Sequence, residues 1–224
     1  RNLIDQFIYT SQNKYNKLVN RYNKLIQERS KILINNNNDE SWLNQLEKSI
    51  SIDALQIYSF RESQLNILVS ILNNYLKDFD LPFKIYTKLI DKFYNSNFKN
   101  QDYENTLKNN RKIDVLVGGC AIGPQKSDYM FCVNDKSNVS QLSTGQQKTI
   151  ILLMYLSQCK YLSEIKSKQP ILLLDEVCSH LDEVNRNVLL TLIESFKLQI
   201  FMTGTSKDLF SFLSTNTNFY NITD

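Results

Sequence analysis

Glycine is scarce in this sequence, with five in 224 residues, and their positions exclude one common kind of nucleotide site. A phosphate-binding loop of the form G-x-x-x-x-G-K-[ST] needs two spaced glycines followed by a lysine, because its backbone amides and that lysine hold the phosphates. The nearest stretch, GCAIGPQKS at 119–127, has too short a glycine spacing, a proline that removes an N–H, and Lys126 displaced from Gly123. These residues therefore contain no phosphate-binding loop.

Cysteine and long apolar runs are also scarce. The four cysteines show neither pairing nor metal-ligand spacing, which favours reduced thiols in a cytoplasmic protein. No run of about 18 apolar residues is present, so we expect no membrane span, and there is no basic-then-apolar leader. Residue 1 is Arg rather than Met, which suggests a fragment or a processed product.

The net charge of +3 is small, and the surplus lies in residues 1–110. A surplus of this size does not by itself establish nucleic-acid binding. If a nucleic-acid surface exists, this first part is where we expect it.

The first part of the chain is predicted to be helical. Apolar side chains follow a three-and-four spacing from Tyr15 to Ile32, interrupted by Arg29. The run NNNND at 35–39 ends this pattern, because Asn and Asp compete with the helix backbone. The spacing predicts a long helix followed by a short polar turn.

A second helical pattern begins at Trp42 and runs to Ile71, with Asp53 and Gln64 on the same stripe. Pro82 ends it by removing a donor and restricting the preceding residue. The two patterns predict a helical hairpin or arm. We expect Trp42 and the tyrosines at helical spacing to pack in the core rather than to contact a ligand.

The remainder is predicted to change from helix to an α/β pattern. Residues 83–110 are expected to add one helix and a loop. The later predicted elements are strands at 113–117 and 129–133 around a turn at Gly123-Pro124, a helix at 145–160, a strand at 170–176, a helix at 183–197, a strand at 198–203 and a short helix after Ser206. Alternating strands and helices with short connections are typical of an α/β sandwich.

The strand PILLLDE at 170–176 ends in two carboxylates. Its continuous apolar run predicts a strand buried on both faces of a parallel sheet, and such sheets bind ligands at the carboxyl ends of their strands. Asp175, Glu176 and Gly204 all fall at such ends. In nucleotide hydrolases the Asp holds Mg²⁺ and the next Glu polarises the attacking water. A plain strand end that meets water remains the alternative.

The stretch LSTGQQK is predicted to begin a helix. Ser143 or Thr144 can cap it, and Gln146 or Gln147 completes a capping-box spacing. Gly145 leaves room for a backbone or a phosphate to approach. Free amides and the positive end of the helix dipole make an anion site, although an ordinary capped helix explains this stretch taken alone.

These stretches occur in a particular order. LSTGQQK comes first, the Asp-Glu strand follows, CSHLD at 178–182 comes directly after the carboxylates, and a strand ending in TGT comes last. The ordered set resembles the second half of an ABC-type ATPase head: signature, Walker B with catalytic Glu, D-loop and switch position. The joint match is far more specific than any of its parts.

Within that class the sequence is most similar to the RecF family of the SMC-like branch. The opening RNLID, the arm containing SWLNQLE, the turn GPQKSD and the ordered set span the chain in the family's order. Transporter heads usually carry His at the switch position, which is Thr205 here. The turn departs from the family's usual GPHRxD at Gln125 and Lys126, which leaves its role open. In the signature, Thr144 stands at the third position.

The resemblance implies a head that binds ATP and Mg²⁺ and dimerises around two nucleotides. Ser143, Gly145 and Gln146 would then reach the γ-phosphate held by the opposite subunit. Asp175 would hold the metal and Glu176 would be catalytic, both on the subunit's own nucleotide.

The same resemblance implies further roles near the nucleotide. Thr205 would occupy the switch position and Asp182 would act across the dimer interface. For His180 three roles stay open: a D-loop interface residue, a surface residue or a catalyst.

The fold class predicted is therefore α/β, with a helical arm at 1–110 and the C-terminal part of an ABC-type head at 111–224. The family implies DNA repair and replication: binding to gapped or single-stranded DNA, action with RecO and RecR, RecA loading and the SOS response. Because the Walker A loop is missing, we predict that this chain alone does not hydrolyse ATP.

Two other functions stay open. The chain could be a non-catalytic remnant that keeps the arm as a DNA-binding or partner-binding module. An ABC transporter ATPase subunit is disfavoured by the long arm ahead of the signature and by Thr205.

Overall fold

The computed structural model is a mixed helix-and-sheet protein in which helix predominates. It describes residues 2–35, 39–78, 84–95, 97–134, 137–176, 186, 191, 198–211, 213 and 217–222.

Five α-helices and five strands make up the described part of the chain. The helices are α1 (Asn2–Ser11), α2 (Asn13–Ile34), α3 (Glu40–Asp78), α4 (Asn100–Val117) and α5 (Thr144–Lys160), and a π-helical turn, Tyr161–Ile165, extends α5. The strands are β1 (Ile85–Ile90), β2 (Asp128–Val133), β3 (Ser137–Asn138), β4 (Ile171–Leu174) and β5 (Gln199–Met202), with 3₁₀ turns at Val139–Gln141 and Lys207–Phe210.

The strands form two sheets. β1, β2 and β3 lie in that order in one, and β4 pairs with β5 in the other. The β4–β5 pair is parallel, with Ile171 opposite Gln199 and Leu174 opposite Met202.

The chain divides into two compact units. Unit 1 comprises residues 1–67 and 86–132, and unit 2 comprises residues 68–85 and 133–224. The predicted long helices α2 and α3 are confirmed, and the Asn-rich run falls between them. Pro82 and most of the helix predicted at 183–197 lie outside the described residues.

In unit 1 the predicted apolar stripe of α2 is buried at Tyr15, Leu18 and Tyr22 and half-buried further along, and the residue that interrupts it is buried. Arg29 is 0% exposed. Its guanidinium donates to Glu47 Oε1 at 2.9 Å, to Asp114 Oδ2 at 2.6 Å and to the Leu107 carbonyl at 2.8 Å. Because a buried charge is costly unless it is paired and hydrogen-bonded, this network fixes α2 against α3 and α4.

A second buried arginine in unit 1 holds the GPQKSD turn. Arg61 donates to both carboxylate oxygens of Asp5, at 2.8 and 2.9 Å, and to the Pro124 carbonyl at 2.6 Å. Burial by itself lowers the pKa of Arg61, but its hydrogen bonds with Asp5 raise that pKa above its ordinary value. The turn therefore rests on a guanidinium that stays charged.

Three expectations for unit 1 are wrong. Residues 113–117 end helix α4 instead of forming a strand. In the helix, Asp114 lies on the same buried face as Tyr103 and Leu107, where it binds Arg29. Residues 85–90 form strand β1, which was not predicted. Trp42 lies 45% exposed and is not a core residue.

The strand predicted at 129–133 is present as β2, and in unit 2 the predicted elements at 145–160, 170–176 and 198–203 are present within a few residues of their predicted bounds. Burial of the Asp-Glu strand on both faces is wrong. Leu172 and Leu174 are 5% and 6% exposed, whereas Ile171 and Leu173 are 59% and 72% exposed. Among the described residues, none covers the second face of β4.

Among the residues that the structure describes, no helix combines the length and the apolar character that a membrane crossing requires.

Candidate nucleotide-contacting site

The candidate carboxylates lie at the carboxyl edge of the β4–β5 pair in unit 2. Because the strands are parallel and Leu174 lies opposite Met202, the residues that follow each strand emerge side by side. Asp175 and Glu176 therefore lie beside Thr203, and the ladder continues one step further, from the Thr203 N–H to the Leu174 carbonyl at 3.0 Å.

Thr203 connects the two carboxylate residues. Its hydroxyl donates to Asp175 Oδ1 and accepts the backbone N–H of Glu176 at 3.1 Å. Sequence reasoning missed this residue, since it considered only the last threonine of TGT. The parallel register identifies it, because it aligns the first residue after β5 with the first residue after β4, but a single sequence does not give that register.

Glu176 has an unusual backbone conformation, with φ of +49°. Residues other than glycine rarely occupy this left-handed region, and when they do they cluster at functional sites. Both Asp175 and Glu176 are exposed. The desolvation cost expected for a buried carboxylate pair therefore does not arise, and both side chains are open to a ligand.

Helix α5 begins with the predicted cap. The Ser143 hydroxyl accepts the Gln146 N–H at 3.3 Å, and Gln146 Oε1 accepts the Ser143 N–H at 3.2 Å. This reciprocal pair is a capping box, so Ser143 caps the helix and Gln146 completes the box. In this structure Ser143 and Gln146 bond to each other and not to the carboxylates.

Gly145 lies in the first turn of α5 with open space around it. Beyond its own helix backbone and chain neighbours, no described atom lies within 4 Å of a Cβ placed there, and its carbonyl accepts the Thr149 hydroxyl at 3.0 Å. In the described part of the chain, neither packing nor a positive φ requires glycine here.

Gly204 differs, because a Cβ there would lie 2.7 Å from the ring of Phe210. Glycine is thus needed for the 3₁₀ turn to fold back on the strand end. Thr205 follows it and is exposed. Asp182 and His180 lie outside the described residues.

Asp175 is the candidate ligand for the implied Mg²⁺. No group of three metal-ligating side chains occurs in the described ranges. Mg²⁺ nevertheless often takes only one or two carboxylates from the protein and completes its shell with waters and substrate phosphates. One exposed carboxylate, oriented by Thr203, fits that mode of binding.

Comparison with known proteins places these observations in a family context. No protein-family model matches the chain. It is 25% identical over 231 residues to the DNA replication and repair protein RecF of Rhizobium etli, covering 100% of this chain and 61% of that protein. It is 26% identical over 234 residues to RecF of Brucella abortus, covering 99% and 59%.

The chain is similar to RecF proteins over its whole length. The solved structure of the recombination mediator protein RecF with ATP matches it with a TM-score of 0.79 at 23% identity, over 95% of this chain and 58% of that one. A second RecF structure, with an ATP analogue, gives 0.76 at 22% identity over 92% and 57%. The predicted fold class is thereby confirmed.

The RecF likeness has a limited extent. This chain spans 59% to 61% of the length of the curated RecF proteins compared above. The matching RecF structures are described with ATP and with an ATP analogue in the RecFOR pathway. The remaining part of those proteins has no counterpart among these 224 residues.

Proposed function

We propose that this chain supplies the helical arm and the C-terminal half of an ABC-type ATPase head in a RecF-like DNA repair and replication protein. We assign residues 1–110 to the arm and residues 111–224 to the head portion. The observation that carries the proposal is the parallel β4–β5 edge, which gathers Asp175, Glu176 and Thr203 where such sheets bind ligands.

The signature turn is proposed to act on a nucleotide held by a second subunit. The N-terminus of α5 presents free amides and a positive dipole end, which favour an anion. Ser143, Gly145 and Gln146 would close over the γ-phosphate after the capping box opens. The open space at Gly145 supports this role, since none of the described residues occupies it.

The carboxylates are proposed to act on the subunit's own nucleotide. Asp175 would hold Mg²⁺, which neutralises phosphate charge when bound. Glu176 would accept a proton from the attacking water as a general base. Thr205 would contact the nucleotide from the switch position, and Asp182 would act across the dimer interface, with His180 beside it.

The exposed apolar face of β4 and β5 supports the proposal that another portion of the head packs against it. Ile171, Leu173 and Phe201 lie more than half exposed on adjacent strands, with Leu173 directly opposite Phe201. A contiguous apolar patch of this kind marks an interaction surface. We propose that the portion of the head carrying the phosphate-binding loop packs there.

The proposed partners are gapped or single-stranded DNA, RecO and RecR, and indirectly RecA. We propose that the complete protein forms an ATP-dependent homodimer and works in the cytoplasm.

The test uses the protein as its gene encodes it. Replacing Glu176 with Gln is expected to lower magnesium-dependent ATP turnover by about 100-fold or more, because a positioned general base contributes that much. ATP binding and ATP-dependent dimerisation should persist. Glu164→Gln is the matched control, since Glu164 is an exposed carboxylate in the π-helical turn of the same unit. Unchanged turnover in Glu176→Gln would reject the catalytic assignment.

A second candidate, a non-catalytic DNA-binding or partner-binding module, is favoured by the missing phosphate-binding loop. The purified 224-residue chain is expected to show no ATP turnover. If the gene-encoded protein also binds no ATP yet binds DNA, the second candidate replaces the first.

A further inference from the structure

One face of helix α2 carries a line of cations, the α2 basic stripe, formed by Lys14, Lys17, Arg21, Lys24 and Lys31. Their spacing of three, four, three and seven residues keeps them on one side of the helix. All five are exposed. The helix has one acidic residue, Glu28.

The stripe is held in place by the opposite side of the same helix. Tyr15, Leu18 and Tyr22 are buried in unit 1, and Arg29 is locked into its buried ionic network. A helix anchored in this way cannot rotate its cations into the core. The stripe is therefore a rigid, permanent part of the surface of unit 1.

Most of the positive charge in the stripe is uncompensated. Arg21 pairs with Asp53, a carboxylate that is itself buried. In the described part of the chain, Lys14, Lys17, Lys24 and Lys31 form no ion pair. Four ammonium groups thus face solvent on one line, with the single carboxylate of Glu28 between Lys24 and Lys31. An extended anion would neutralise the remaining positive charge.

The dimensions of the stripe match a nucleic-acid backbone. From Lys14 to Lys31 the helix rises by about 26 Å, at about 1.5 Å per residue. That length corresponds to about eight base pairs of duplex at about 3.4 Å each. Asparagines lie next to the cations in sequence and add hydrogen-bond donors of the kind that contact phosphate and sugar oxygens. These are Asn13, Asn16, Asn20 and Asn23.

Other anionic partners fit less well. A membrane-surface helix needs a free apolar face beside its basic face, but the apolar face of α2 is buried. A protein interface is centred on aromatic or aliphatic anchors, and the only large apolar side chain exposed on α2 is Ile34, at its last residue.

We propose that the α2 basic stripe binds the phosphate backbone of DNA in a manner that does not depend on sequence. This inference rests on the proposed DNA-binding function and adds the surface that carries it.

The experiment measures the affinity of the 224-residue chain for a fluorescent gapped duplex by anisotropy, across a salt series. The stripe triple is Lys14→Gln, Lys17→Gln and Lys24→Gln. The control triple is Lys77→Gln, Lys88→Gln and Lys168→Gln, three exposed lysines elsewhere. Both triples lower the net charge by the same amount, so only position distinguishes them.

The stripe triple is expected to weaken binding by about tenfold or more at low salt. Its slope of log affinity against log salt should fall by about 2.7, since each phosphate contact contributes about 0.9 on duplex DNA. The control triple should change that slope by less than about 1. Replacing the same three lysines with Arg should retain both affinity and slope, which separates charge loss from damage to the fold.

Four results would overturn the inference. Equal weakening by both triples would assign binding to net charge, and unchanged binding by the stripe triple would place the DNA surface elsewhere while leaving DNA binding intact. A stripe triple that loses binding to phosphatidylglycerol vesicles or polyglutamate, but not to DNA, would give the stripe another partner. A wild-type chain that binds no DNA would reject both this inference and the DNA-binding part of the proposed function.

Discussion

Units 1 and 2 both contain charged side chains in hydrogen-bonded groups, but they place them differently. In unit 1, Arg29 and Arg61 are buried with fixed partners that join several helices and a turn. In unit 2, Asp175 and Glu176 lie exposed at a strand edge and are linked by one threonine. Burial therefore separates charges that hold the fold from charges that are open to a ligand.

The largest expected effect comes from breaking the buried network of unit 1. Arg29→Met should lower the free energy of unfolding by about 3–5 kcal/mol, because Glu47 and Asp114 lose a buried charge partner. Urea denaturation followed by fluorescence reports on this unit, since Trp42 is the one tryptophan and lies in α3.

The matched control is Lys24→Met, which makes the same kind of change on the exposed side of the same helix. Its unfolding free energy should stay within about 0.5 kcal/mol of wild type. Equal losses in the two variants would mean that the network adds nothing beyond ordinary helix packing.

A smaller effect is expected at the turn that Arg61 holds. Gly123 has φ of +119°, and a Cβ there would overlap the hydroxyl oxygens of Tyr22 and Tyr103. Gly123→Ala should cost about 2–3 kcal/mol from strain and overpacking. Gly119→Ala should be nearly neutral in the same denaturation assay, because a Cβ there meets nothing within 4 Å. A neutral Gly123→Ala would show that the turn has room to move.

The smallest effect on stability is expected in unit 2. Thr203→Val should cost about 1 kcal/mol or less, since the hydrogen bonds that it removes are exposed to water. The local effect should be clearer: amide hydrogen exchange at Glu176 should accelerate severalfold in Thr203→Val and stay near wild type in Thr203→Ser. Ser206→Ala, beside the same strand end, serves as the control. Similar exchange in Thr203→Val and wild type would mean that the hydroxyl does not hold Glu176.

Helical spacing predicted α2 and α3 well, because a stripe of apolar side chains over many turns has few alternative structures. It was less informative where tertiary pairing decides the outcome. Arg29 interrupts the stripe in sequence, and its partner Asp114 lies far along the chain, so no local pattern revealed that both are buried. The run IDVLV at 113–117, rich in β-branched residues, favoured a strand by propensity, and the ionic contact between Asp114 of α4 and Arg29 of α2 overrode it.

The candidate site was predicted in part. Ser143 and Gln146 form the capping box that their spacing indicated, and Asp175 and Glu176 fall at the strand end as expected. The role of Thr203 and the left-handed backbone of Glu176 depend on the register between β4 and β5, which a single sequence does not give. The nucleotide roles of these residues stay predictions.

At position 145, the residue that is present differs from the residue that would favour helix stability. Alanine in the interior of a helix is favoured over glycine by about 0.5–1 kcal/mol, and this position has room for the extra methyl group. The helix thus keeps a less stable residue at a position where the described residues leave room for alanine. A stability screen would select alanine here, and we expect that selection to discard the clearance that the proposed phosphate contact would use.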